Sequence, residues 1–284
     1  MIKNDVCAEI SRFDLAKNST IGTGGYAELA YAPQTQAELV SIIQALEQTQ
    51  TKYFIVGNMS NVLPADGKSK RVFVLTKQMN AIIGNYFQAG VSAGQFLKHC
   101  KENGLSGGEF LWGIPCTLGG ALYMNAGVAG AYMSKIVQSV RVYHNGRVQT
   151  IALNDCKYGY KSSVFMQGGF VILGATLALQ QADEITIEQR LAYYQHMRKH
   201  LPKGKSMGCV FQNPPNLVAG KLIEGAGLKG LRVGGAHVSN VHANFIINDL
   251  GATSSQVRSL IEIVKNAVFA QYKISLKEEI IYLE

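Results

Sequence analysis

The chain has no apolar run approaching the ~18 residues that a membrane-spanning helix requires. Its opening stretch, MIKNDVCAEISRFD, carries charges where a secretory signal would carry an apolar core, so no leader is expected. Paired cysteines are lacking too. The five cysteines, Cys7, Cys100, Cys116, Cys156 and Cys209, are odd in number and form no C-x-x-C. That usage fits reduced thiols and a cytoplasmic protein, with no membrane partner. No internal repeat or low-complexity segment is present. His196 and His200 stand four apart on an expected helix but have no third ligand nearby, so no metal is expected. Basic residues outnumber acidic ones by 27 to 19, giving a net charge of +8. No aromatic residues alternate with them as a single-strand platform would need, which argues against nucleic acid and for anionic small molecules.

What the chain does have is glycine in one place. Residues 104–130 read GLSGGEFLWGIPCTLGGALYMNAGVAG, with glycine at Gly104, Gly107, Gly108, Gly113, Gly119, Gly120, Gly127 and Gly130. So many glycines fit a backbone that takes positive φ or approaches another body closely. The consecutive amides at Gly119-Gly120-Ala121 have no bulky side chains before them and suit a phosphate, while the apolar residues between would floor a flat ring system. The stretch reads as a wall against a large, planar, phosphorylated cofactor; a glycine-rich turn in an ordinary core is the plainer alternative.

At 284 residues the chain is long enough for two domains. A helix over 33–48 has Thr35 as N-cap, Glu38 in the first turn and the stripe Leu39, Ile42, Ile43 and Leu46. Strands are expected over 28–31, 53–56, 72–75 and 86–89, after a short helical start within residues 1–32, and a helix over 92–103 ends at Gly104. Two strands over 136–143 and 147–153 meet at His144-Asn145-Gly146, a hairpin signal, and a strand over 171–179 follows. A basic helical stretch between residues 182 and 205 marks a domain boundary. Beyond it come strands over 208–211, 236–238, 243–247 and 279–283, a helix over 217–225, and a long helix over 254–272 capped from residues 248–254.

Several of these stretches, in this order, resemble one family. Residues 18–27, Gly57-Asn58-Met59-Ser60-Asn61, 104–109, 113–130, 158–165, 208–214, 219–224, 242–248 and 276–280 are similar to the UDP-N-acetylenolpyruvoylglucosamine reductases, flavoenzymes of peptidoglycan precursor synthesis. The length resembles their shorter subtype. The resemblance implies an α+β fold: a two-lobed FAD-binding domain of the vanillyl-alcohol-oxidase type over residues 1–182, with lobes near 1–70 and 71–182, and a smaller α+β substrate-binding domain over 183–284. FAD would be held non-covalently by Gly57, Asn58, Ser60, Asn61, Ile114, Pro115, Gly119, Gly120, Ala126, Gly127 and Gly130, with its pyrophosphate near Gly57–Asn61 and the Gly119-Gly120 amides. NADPH would be the co-substrate, a UDP-sugar the substrate, and the protein a monomer.

The implied reaction has two halves. NADPH gives a hydride to the flavin and leaves; the UDP-sugar enolpyruvyl ether then receives it at its terminal carbon, and the charge on the adjacent carbon and carboxylate must be stabilised and quenched by a proton. The proton donor is the Ser of G-S-x-F-x-N-P in most members, and here it is Cys209; a thiol, with a reference pKa of about 8.5, keeps that role. The acid is Glu279 in Leu276-Lys277-Glu278-Glu279-Ile280, Glu278 facing the other way in a strand. The cation of Tyr-Arg-x-Ser is Lys161 in Tyr160-Lys161-Ser162-Ser163, which holds the charge without the planar grip of a guanidinium. Tyr160 and Asn213 would bind substrate, and Lys221 or Arg232 would add charge near its diphosphate. Gly22 stands where the family has a basic residue, and Met59 and Cys116 where it has glycine. These departures leave two alternatives, a paralogue that binds FAD or a UDP-sugar without the reaction, and a flavoenzyme acting on a different acceptor.

Overall fold

The computed structural model describes residues 8–284. Cys7 and the first residues of the expected helical start lie outside that range; within it a strand, Ala8–Asp14, leads into a single helical turn, Leu15–Asn18. The chain forms two compact units. One comprises residues 8–10, Ala30–Asn58 and Phe73–Lys199, the other Ser11–Leu29, Met59–Val72 and His200–Glu284. These units differ from a linear division after residue 182. The helix Glu184–Arg198 lies with the first because Arg190 Nη1 donates to Ser106 Oγ at 2.5 Å and Arg198 Nη2 to the Gly113 carbonyl at 3.1 Å.

Two lobes make up the first unit. In one, the helix Gln36–Gln48 is capped by Thr35, whose Oγ1 accepts the Glu38 amide at 3.1 Å. It buries Leu39, Ile42, Ile43 and Leu46, each such side chain contributing roughly 1.5–3 kcal/mol. Beside it, Ala30 and Tyr31 pair in parallel with Phe73 and Val74, and Tyr53–Val56 lies at the sheet's far side. The other lobe is a five-stranded antiparallel sheet in the order Arg147–Ala152, Val137–His144, Val171–Leu177, Tyr86–Gln88, Ile82–Ile83. Its hairpin turns at Asn145 and Gly146 with φ of 51° and 76°, the two left-handed residues that a tight hairpin demands. The helices Ala93–Glu102 and Leu118–Met124 pack with it around Phe87, Phe96, Phe110, Leu122 and Val140, none more than 1% exposed.

The second unit has its own core, centred on Val210, Phe211, Ile223, Val238, Leu260, Ile261 and Val264. Arg232–Val233, Ala236–Val238 and Ile246–Asn248 form an antiparallel sheet, and Ile281–Leu283 pairs in parallel with Val62–Pro64. The helix Ser254–Tyr272 starts at a Thr253/Gln256 capping box, and Asp66 accepts the Ser254 and Ser255 amides at 2.8 Å each. Residues 208–211 do not make the regular strand expected of them. Cys209 bridges Phe245 on one side and Phe211 bridges Glu278 on the other, as isolated contacts. The 243–247 strand begins only at Ile246, because the Phe245 amide turns back to the His242 carbonyl at 2.9 Å.

Candidate active site

The first unit brings two of the sequence-predicted runs together. Strand Tyr53–Val56 ends at Gly57, and a Cβ there would lie 2.0 Å from Thr117 Oγ1, so only glycine lets the turn reach this N-cap. Next to it, Asn58 Nδ2 donates to the Pro115 carbonyl at 2.8 Å. Gly57 and Asn58 thus clamp the segment Ile114-Pro115-Cys116-Thr117 that leads into the helix Leu118–Met124. Gly119 has a different role from the one its amide suggested. Its N–H is already given to the Ala89 carbonyl at 2.8 Å, and a Cβ would come within 3.0 Å of Ala89 Cβ, so the glycine serves helix packing. Gly120 remains exposed, its amide 3.5 Å from Thr117 Oγ1.

Downstream, Gly127-Val128 pairs with Ala131-Tyr132 around a turn at Ala129 and Gly130. Ala126 joins this hairpin to the helix, giving its amide to the Ala121 carbonyl at 2.8 Å and accepting the Met133 amide at 2.9 Å. A Cβ at Gly130 would meet nothing within 4 Å. With exposed Gly120 and Pro115 and half-buried Ile114 and Ala126, the wall offers bare backbone and small apolar surface, which fits a flat ring approaching closely. Lys161 is presented by a tight turn. Gly159 and Ser162 exchange both backbone hydrogen bonds, at 3.1 and 3.3 Å, leaving exposed Tyr160 and half-buried Lys161 at the tip, with Lys161 at φ 51°.

The remaining predicted residues belong to the second unit. Met59 takes the glycine position with φ 49° and is 5% exposed; a non-glycine residue in that region costs roughly 1–2 kcal/mol. Ser60 is half-buried, and Asn61 Nδ2 donates to the Glu279 carbonyl at 3.1 Å, so this asparagine steadies the backbone of the candidate acid. The Glu279 amide in turn donates to the Val210 carbonyl at 2.7 Å, setting Glu279 and Cys209 on adjoining, hydrogen-bonded segments. The neighbouring acid is committed elsewhere, Glu278 Oε1 accepting from Lys265 Nζ at 2.8 Å. Asn213 Oδ1 accepts the Ala219 amide at 3.0 Å and so caps the helix Ala219–Gly225. Arg232 does not serve as an available cation: Nη1 and Nη2 grip Asp249 at 2.7 and 2.9 Å, which holds that carboxyl down at about 2. Lys221 is exposed. Over Gly22 lies the stem of Lys205, its Cδ 2.6 Å from where a Cβ would stand.

Sequence reasoning missed two buried asparagines that hold these pieces. Asn125, 4% exposed, donates from Nδ2 to the Gly159 carbonyl at 2.8 Å. Asn244, 3% exposed, accepts the Phe211 amide on Oδ1 at 2.9 Å and donates from Nδ2 to the Phe211 carbonyl at 2.8 Å. Its own amide is given to His242 Nδ1 at 3.2 Å, and burial holds that imidazole below its ordinary value, neutral and accepting. Both asparagines sit within stretches singled out by resemblance, but nothing local distinguishes them from turn residues. Among the thiols, burial pushes Cys100 and Cys116 up to about 12 and Cys156 to about 11, so these stay protonated and unreactive near neutral pH. No helix among the described residues is long and apolar enough to cross a membrane.

Comparison with known proteins gives two family matches. Residues 27–152 match an FAD binding domain, and residues 196–283 match the UDP-N-acetylenolpyruvoylglucosamine reductase C-terminal domain. A UDP-N-acetylenolpyruvoylglucosamine reductase from Alkaliphilus oremlandii is 35% identical, covering 94% of this chain and 90% of that relative. One from Geobacter metallireducens is 34% identical over 98% of this chain and 95% of its own. The crystal structure of UDP-N-acetylenolpyruvylglucosamine reductase from Thermus caldophilus superposes with a TM-score of 0.85 at 31% identity, covering 98% of this chain and 99% of that one.

Proposed function

Because the chain belongs to the UDP-N-acetylenolpyruvoylglucosamine reductase family, we propose that it reduces UDP-N-acetylglucosamine enolpyruvate to UDP-N-acetylmuramate, with FAD as a non-covalent cofactor and NADPH as reductant. The same reading makes it a cytoplasmic monomer and assigns substrate binding to its C-terminal part, 183–284. The observation that carries the reading is the joining of Cys209 and Glu279 through the Val210–Glu279 hydrogen bond of 2.7 Å, since a chain that had lost the reaction has no reason to keep both.

The residues that would hold FAD are Gly57, Asn58, Ser60, Asn61, Ile114, Pro115, Gly119, Gly120, Ala126, Gly127 and Gly130, Gly119 by letting the helix start pack close and the others by backbone or small side chains. Bound FAD would supply the hydride chemistry between NADPH and the enolpyruvyl terminal carbon. Lys161 opposes the negative charge that gathers on the substrate carboxylate, a kind of stabilisation whose removal costs about 10²–10³ in rate. Cys209 gives its thiol proton to the adjacent carbon, and Glu279 orients the same reacting end. Tyr160 and Asn213 bind the substrate, Asn213 through its amide while its Oδ1 caps the Ala219–Gly225 helix. A fold-retaining paralogue is the second reading, motivated by Lys161 and by the left-handed Met59. Steady-state consumption of NADPH separates them: the proposal expects it to depend on the enolpyruvyl UDP-sugar, and consumption indifferent to that substrate would overturn it.

A further inference from the structure

We propose that Asn125 is a positioning residue that fixes Lys161, with Ser163 as its second anchor; this rests on Lys161 being the cation of the proposed reaction. Asn125 ends the helix Leu118–Met124 in the left-handed region, φ 46° and ψ 54°. Glycine is the usual residue for such a site. Asparagine tolerates it and adds what glycine lacks, an amide that donates and accepts at once. Here both capacities are used: Oδ1 accepts the Ser134 amide at 2.9 Å and Nδ2 donates to the Gly159 carbonyl at 2.8 Å.

That carbonyl is the one that closes the Lys161 turn, since it also accepts the Ser162 amide at 3.3 Å. The far side of the turn is tied by Ser163, 7% exposed, whose Oγ donates to the Tyr123 carbonyl at 2.6 Å. The residues flanking Tyr160-Lys161-Ser162 are therefore both fastened to the last turn of a helix that begins in the glycine-rich wall. The need for two anchors follows from the side chain they serve. Lysine has a flexible four-carbon stem and no planar fork to orient it, so a shift of the backbone that carries it is passed on to its ammonium. Lys161 is itself in the left-handed region, at φ 51°, which an unanchored turn would relax. Displacing a catalytic group by an ångström can cost about 10²-fold.

The test compares Asn125→Gly, which keeps the left-handed backbone and loses only the side-chain bonds, with Lys161→Ala and the double variant. Two rates are read by anaerobic stopped flow: reduction of the bound flavin by NADPH, and its reoxidation by the enolpyruvyl UDP-sugar. Asn125→Gly is expected to slow reoxidation roughly 10- to 100-fold with reduction unchanged, and to add nothing to Lys161→Ala. In the protein without substrate, amide hydrogen exchange at Ser162 should speed up. Equal slowing of both rates, or a double variant slower than Lys161→Ala by the full Asn125 factor, overturns the proposal. Normal reoxidation in Asn125→Gly beside slow reoxidation in Lys161→Ala overturns the positioning role alone; normal reoxidation in Lys161→Ala removes the cation assignment and this proposal with it. If Asn125→Gly does not fold, Ser163→Ala gives the answer: selective slowing of reoxidation supports the proposal, and none overturns it.

Discussion

Truncating Asn244 to alanine should destabilise the second unit by an amount its geometry allows one to work out. The side chain is 3% exposed and brackets one residue, accepting the Phe211 amide at 2.9 Å and donating to the Phe211 carbonyl at 2.8 Å. Alanine leaves both backbone groups of Phe211 buried and unpaired, at about 1–3 kcal/mol each. The backbone bond from the Val210 amide to the Asn244 carbonyl, at 2.8 Å, survives and limits the opening. The expected loss is therefore about 3–4 kcal/mol, a large share of a total that is typically about 5–15 kcal/mol. Asn244→Asp has the same shape but turns a carboxylate oxygen toward the Phe211 carbonyl, so at neutral pH it should be no better. Urea denaturation followed by far-ultraviolet circular dichroism reads the change as a lower midpoint at constant slope. A loss below about 1 kcal/mol would refute the reasoning, since ordinary surface substitutions reach about half that.

Cys209→Ala should leave flavin reduction by NADPH intact and slow the second half-reaction, whereas equal loss in both halves would sink its assignment as proton donor. Gly57→Ala forces a methyl to within 2.0 Å of Thr117 Oγ1 and should cost about 1–3 kcal/mol; adding Thr117→Ala, which removes that oxygen, should recover part of the melting temperature, and no recovery would place the strain elsewhere. Asp66 is linked to pH. Burial alone would raise its pKa, but the hydrogen bonds from Ser255 Oγ and from the Ser254 and Ser255 amides outweigh it and hold the carboxyl below its ordinary value. A depressed folded pKa gives stability that is present above the unfolded value of about 3.9 and is lost as pH falls through the folded one. The urea-midpoint gap between the native chain and Asp66→Asn should hold steady from about pH 7 to 5 and shrink below about 4; a gap unchanged at lower pH would contradict the assignment.

What could be read from the sequence was what is local. Thr35 and Glu38, Asn145-Gly146, and the capping of the Ser254–Tyr272 helix each settle their element within a few residues, and the structure has them where they were expected. Pairings at long range were not legible. Residues 62–64 join the second unit because they lie beside Ile281–Leu283, a partnership no composition shift announces. The segment 208–211 looks like a strand in isolation, yet Asn244, 33 residues away, supplies with a side chain the bonds that a ladder would supply with backbone. Glycine content has the same ambiguity: at Gly119 it reports close packing on Ala89, while at Gly120 and Gly130 it leaves open surface. At the candidate site, the runs bearing Lys161, Cys209 and Glu279 could be picked out because they resemble a family in order. Their supports, Asn125 and Asn244, were invisible because each acts on a carbonyl more than thirty residues distant.

The central claim is tested most directly by stopped-flow absorbance of the flavin band. The protein is reduced anaerobically with NADPH and then mixed with UDP-N-acetylglucosamine enolpyruvate. Rapid reoxidation by that substrate is the predicted result. Reduction that is not followed by reoxidation, or purified protein that binds no flavin, would contradict the account.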